Sequence, residues 1–175
     1  NLAKFRTKKV RVMLVTDVAA RGIDIPLLDN VINYDFPDKA KLFVHRVGRV
    51  ARAGRTGAAF SFVSRDEMPY MIDLHLFLGI KLRQSEGEQA EYDNKVAFYG
   101  GFPLWAMEQD GDHVRQIIKM AHLELAHKRM MSSYKMYYAS RGGASQSSVR
   151  RSKELADPLM HPMFIKQEVG DDTSA

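Results

Sequence analysis

The chain has 175 residues, 45% of them hydrophobic, a composition that belongs to folded proteins; it has no cysteine, so disulfides and thiolate metal sites are excluded. Twenty-six Lys and Arg against 21 Asp and Glu leave a formal charge of +5, which favours a polyanionic partner, nucleic acid being the commonest. No apolar run is long enough to cross a bilayer as a helix, and no membrane partner is expected.

The first residues, Asn1 to Arg6, lack the apolar stretch of a signal peptide, and the chain soon enters the apolar run Val12-Met13-Leu14-Val15. That run, ending in Thr16-Asp17, predicts a strand buried on both faces of a parallel sheet, and it implies that earlier strands of the same domain precede residue 1. Ligands of open α/β sheets gather beyond the carboxyl ends of such strands, where Thr16 and Asp17 stand. Ala19-Ala20-Arg21 predicts one helical turn, stopped by Gly22, with a loop from there to Pro26.

Val31 to Tyr34 reads as the next strand, Phe36-Pro37-Asp38 as a turn, and 41–53 as a helix carrying His45 with three arginines, Arg46, Arg49 and Arg52, and Arg55 just beyond it. At about 100° per residue, His45, Arg49 and Arg52 share one stripe, while Phe43, Val47, Val50 and Ala51 gather opposite. Guanidinium groups on an anchored helix suit multidentate contact with phosphate oxygens. Residues 58–63 then predict a strand, and 66–78 a helix that Gly79 stops. The order of strands and helices fits an α/β parallel sheet with crossover helices.

Residues 84–94, with Glu86, Glu88, Glu91 and Asp93 around Gly87, read as a polar loop, and a domain boundary is expected near residue 83. The aromatic stretch 96–105 could stack on bases, but packing onto the domain is the preferred reading, so 84–111 forms a loop and aromatic connector. Asp112 is the expected N-cap of one basic amphipathic helix over 112–140. Its Met130, Met131, Tyr134 and Tyr137 are read as core contacts in preference to an RNA-facing surface. Residues 141–175 read as a flexible basic tail with a short helix from Ser148 to Leu155 and an apolar docking patch at 159–164.

The pattern His-Arg-x-Gly-Arg-x-x-Arg from His45 to Arg52 resembles motif VI of the DEAD-box RNA helicases. Thr16-Asp17-Val18-Ala19-Ala20-Arg21-Gly22-Ile23-Asp24-Ile25-Pro26 resembles motif V of that family, and Val31 to Pro37 the segment after it. Val50 and Ala51 stand where many members have Thr and Gly, but neither replaces a phosphate-contacting position. The resemblance covers about residues 1–83 and implies the C-terminal half of a RecA-like second helicase domain, N-terminally truncated, followed by a mainly α-helical extension. Within the family, the chain looks most like the nucleolar member of large-subunit assembly. That implies ribosome biogenesis, a nuclear and nucleolar location, and pre-ribosomal particles as partners beside RNA.

The resemblance also assigns roles. Arg49 and Arg52 are the pair implied to reach the γ-phosphate of ATP, Arg52 being the arginine finger, and Asp24 is implied to bond the ribose. Thr16, Arg21 and Gly22 are implied to meet the RNA backbone, though Arg21 also reads as a buried structural residue. His45, Arg46 and Asp17 are implied in coupling between domains; for His45 a purely structural role, and for Arg46 a plain surface charge, stand equally open. Asp17 reads also as the organiser of its loop. ATP is the implied cofactor, with Mg²⁺ held by the family's first RecA-like domain, the expected partner of this one. The phosphate loop and the Asp-Glu-Ala-Asp magnesium site do not occur in these residues, so on their own they are not expected to hydrolyse ATP. A helicase part is the leading reading; a clamp on RNA or a pre-ribosome, without turnover, is the alternative.

Overall fold

The computed structural model describes residues 2–20, 28–50, 54, 56–84 and 95–168. The chain divides into two compact units, Asn1–Leu74 and His75–Ala175.

The first unit opens with the short helix α1 (Leu2–Arg6), followed by α2 (Asp17–Ala20), β1 (Asn30–Asn33), α3 (Ala40–Val47) and β2 (Ala58–Ser61). A 3₁₀ turn, Arg65–Glu67, then leads into α4 (Met68–Leu78). β1 and β2 pair in parallel, Asn30 opposite Ala58 and Asn33 opposite Ser61, with α3 as the crossover helix between them. The α/β class with parallel pairing is therefore as expected. Among the described residues the buried core side chains of this unit include Phe36, Met71, Ile72 and Leu74, so the core lies where the post-β1 turn and α4 leave the solvent. Glu67 is buried too, its Oε2 accepting from the Ser64 N–H and hydroxyl at 3.0 Å each, which satisfies the start of the helix.

Two expectations fail in this unit. Residues 12–15 join no ladder among the described residues, and Val12 and Leu14 are 70% and 91% exposed. An apolar run states only a preference for burial; a strand also needs a partner's backbone to receive its N–H and C=O groups. The arginine helix is the second correction. It ends at Val47, with the Gly48 N–H donating to the Val44 carbonyl at 2.8 Å, so Arg49 lies beyond the helix that carries His45, while Arg52 lies outside the described residues.

In the second unit α4 ends at Gly79, whose φ of +68° suits glycine, as the Ile80 N–H returns to the His75 carbonyl. β3 (Lys81–Arg83) and β4 (Val96–Phe98) then pair in parallel. Residues 81–83, just before the expected boundary, thus belong to the sheet of the second unit. The intervening polar stretch expected as a loop lies outside the described residues from 85 to 94.

The single helix expected over 112–140 is two: α5 (Leu104–Met120) and α6 (Glu124–Ser140), which contact each other. α5 starts after Pro103 and runs through Asp110-Gly111-Asp112, so Asp112 is not an N-cap; it pairs with Arg115 one turn on. The break falls at His122, which adopts a φ of +52° without Gly or Pro nearby, a conformation for which histidine is among the more tolerant residues. After α6 come α7 (Gln146–Glu154), capped by the Ser145 hydroxyl accepting from the Ser148 N–H, and α8 (Pro162–Glu168).

The tail expected to be flexible is docked from 156 to 164. Gly101 and Met160 form a parallel bridge, with the Gly101 N–H donating to the Leu159 carbonyl at 2.7 Å and the His161 N–H donating to the Gly101 carbonyl at 3.0 Å. Gln84 clasps the same segment, its Oε1 accepting from the Leu159 N–H while its Nε2 donates to the Tyr99 hydroxyl. Phe102 and Phe164 add an aromatic contact with centroids 5.2 Å apart.

Candidate functional site

The carboxyl ends of β1 and β2 are joined by side chains. Asn33, the last residue of β1 and 2% exposed, donates from Nδ2 to the hydroxyl of its register partner Ser61 at 3.1 Å. Its Oδ1 accepts from Arg46 at 3.3 Å. Arg46 sits in the last turn of α3, and its Nε and second terminal nitrogen fork onto the two oxygens of Asp17 at 2.7 and 2.8 Å. The remaining terminal nitrogen donates to the Asp35 carbonyl at 2.7 Å. One planar guanidinium thus ties α2, β1 with its following turn, and α3 together, with β2 reached through Asn33. An ammonium could not make this set of contacts, because the fork geometry is what meets both carboxylate oxygens at once.

Thr16 is the residue before Asp17 and is exposed, so the anchored Asp17 fixes the chain at which its hydroxyl is presented. Beyond α3 the chain turns again, the Val50 N–H donating to the Val47 carbonyl at 2.9 Å. Val50 then forms a parallel bridge with Leu28, the first described residue after the stretch 21–27. Arg49, half-buried, therefore lies in chain that runs beside Leu28. His45 is exposed on α3.

Of the residues expected from sequence, Asp17 and Arg46 are brought into direct contact, Thr16 adjoins them, and Arg49 is placed by the bridge at Leu28. Arg46 turns to the carboxyl ends of the strands, whereas Arg49 stands in the chain after α3, next to the Val50–Leu28 bridge. Arg21, Gly22, Asp24 and Arg52 lie outside the described residues. Asn33, Asp35 and Ser61 were not singled out by sequence reasoning. The signal for Asn33 and Ser61 was present, since each is a polar residue closing an apolar strand at the end where ligands of such sheets gather. A shallow open depression lined by Asp29, Asn30, Gly54, Thr56, Gly57 and Ala58 lies at the amino ends of the same strands, away from the Asp17–Arg46 pair.

The helicase conserved C-terminal domain family matches residues 1–54. The ATP-dependent RNA helicase ddx54 of Dictyostelium discoideum is 52% identical over 94% of this chain and 15% of its own length. The ATP-dependent RNA helicase DDX54 of Mus musculus is 46% identical over 94% of this chain and 20% of its own. Among solved structures, the yeast DEAD-box splicing factor Prp28 is 44% identical over 44% of this chain and 17% of that one, with a TM-score of 0.41. The chain spans less than a quarter of the length of these curated relatives. Sequence similarity to the two curated helicases runs beyond the matched helicase domain and through the helical extension, and by sequence the chain belongs to the DEAD-box RNA helicase family.

Proposed function

We propose that this chain is part of an ATP-dependent RNA helicase that couples ATP hydrolysis to local duplex opening or ribonucleoprotein remodelling. Phosphoryl transfer asks a protein mainly for positioning and for charge on the phosphoryl oxygens, and guanidinium groups supply that charge. In this reading Arg49 and Arg52 act on the γ-phosphate, Asp24 holds the ribose, and ATP with Mg²⁺ is cradled by another RecA-like domain. Thr16, Arg21 and Gly22 meet the RNA backbone, contacts that carry no base information. His45 and the Asp17–Arg46 pair couple the two ligands. A setting in ribosome biogenesis, in the nucleolus with pre-ribosomal particles, follows from the subfamily resemblance. Residues 1–83 serve the helicase chemistry and the helices after them serve as an extension.

The observation that supports this reading best is the Leu28–Val50 bridge, which sets the residue after Arg49 beside Leu28, four positions after Asp24 in the sequence. An Arg52→Ala substitution in the full-length protein tests it. RNA-stimulated ATP hydrolysis should fall by a factor on the order of 10³ or more, with ATP binding retained. Normal turnover in that variant refutes the arginine assignment. An unaltered full-length protein that binds RNA and hydrolyses no ATP establishes the non-catalytic clamp instead.

A further inference from the structure

Helix α6 buries none of its residues, although its Met and Tyr content gives it the composition of a core helix. Lys128, Met131, Lys135 and Tyr138 follow one another at i, i+3, i+7 and i+10, a single stripe of alternating cation and apolar or aromatic surface. Met131 is 49% exposed and Tyr138 44%. Tyr134 and Tyr138 stack with centroids 6.0 Å apart and planes at 28°, and Tyr137 meets Tyr138 edge-on at 5.6 Å. The guanidinium carbon of Arg141 lies 5.6 Å from the Tyr137 centroid and 6.0 Å from that of Tyr138, which holds the rings in place and adds a cation at their margin. The cations Lys128, Arg129, Lys135 and Arg141 face a single acid, Glu124, over the same stretch.

We infer that this face of α6 is a second RNA-binding surface, which takes single-stranded RNA by base stacking on the tyrosines and phosphate contacts from the lysines. Ordered rings interleaved with cations are the chemistry of single-strand platforms, because every base offers a π-face and every nucleotide a phosphate. A protein partner fits less well, since lysine is depleted from the cores of protein interfaces. Duplex RNA fits less well too, because its bases are stacked on each other and withheld from the rings. The surface lies in the second unit and stands apart from the helicase reading, whose RNA contacts fall on Thr16, Arg21 and Gly22.

The test is binding of a fluorescent 15-nucleotide oligouridylate to the full chain without nucleotide, so that its failure leaves the ATPase reading standing. Tyr134→Ala with Tyr138→Ala should weaken binding about tenfold or more, while Tyr134→Phe with Tyr138→Phe retains it, since stacking needs the ring and not the hydroxyl. Lys128→Gln with Lys135→Gln, on exposed positions that do not support the fold, should lower the slope of log affinity against log salt by about 1.4. Unchanged affinity in the alanine variant together with an unchanged salt slope in the glutamine variant overturns the proposal. So does duplex RNA bound as tightly as the single strand, or rings protected by a protein partner in a chain with no oligouridylate affinity.

Discussion

The two units each contain a pair of short parallel strands, and they stabilise the ends of those strands by opposite means. In the first, charge does it: the Arg46 fork on Asp17, with Asn33 and Asp35 on its third nitrogen, gathers segments that are 29 residues apart in sequence. In the second, backbone does it. Gly100 lets the segment 159–161 approach so closely that an added Cβ would lie 2.5 Å from the His161 Cα and 2.6 Å from its nitrogen. The first unit also buries Phe36, Met71, Ile72 and Leu74, whereas the described buried residues of the second are Pro103, Ser148 and Pro162. A unit with little buried hydrocarbon depends on close chain contact, and one with a core can spend side chains on a polar network.

The contrast can be broken first at Gly100. Gly100→Val should destabilise the second unit by about 3 kcal/mol, because backbone and not a pliable side chain must yield. Urea unfolding followed through the fluorescence of Trp105, the chain's one tryptophan, measures it. A loss well below that would mean that the docked segment is not what holds β4. Next comes Arg46→Ala, which removes the shared donor from Asp17, Asn33 and Asp35 and should cost about 2 kcal/mol in thermal unfolding. Arg46→Lys should restore less than half of that, as an ammonium cannot span both carboxylate oxygens. Full rescue by lysine would reduce the network to simple charge.

The smallest effect sharpens the picture of the second unit. Burial lowers the His161 imidazole below its ordinary value of 6.5, against a smaller raising contribution from a hydrogen bond to the Phe98 backbone. Its Nδ1 also accepts from the Met163 N–H at 3.2 Å, a bond that only an unprotonated Nδ1 can make. With the folded pKa depressed, the unfolded chain binds the proton more readily, so this contribution to stability is complete above pH 6.5. It is lost as pH falls through the lowered value. Protection of the α8 amides, taken relative to their intrinsic exchange rates, should decrease from about pH 7.5 to about pH 5.5, and protection that stays constant would exclude His161 as the cause.

Much of the first unit was legible in local chemistry. β1, α3 and β2 stand where apolar runs and turn residues put them, and the Arg46–Asp17 pair joins two positions that the helicase resemblance had already singled out. The extent of the arginine helix was not legible, because Val47 to Ala53 keeps helical periodicity while the chain leaves the helix at Gly48 to reach Leu28. In the second unit the hidden feature was the turn at His122, which carries none of the usual breakers. α6 was misjudged for a different reason: Met and Tyr describe a surface suited to contact without saying whether the protein itself supplies the other side.

Local composition and spacing determined the α/β class and where the cations fall along the chain, and the resemblance of two motifs pointed to the family. Tertiary structure alone decided that the tail docks beside Gly100 and Gln84, that α6 is left uncovered, and that Arg46 turns inward to Asp17 while Arg49 falls beyond the end of α3. Propensity and periodicity act within a few turns of chain, whereas these outcomes depend on which backbone and side-chain groups meet across tens of residues, and that is settled only by packing.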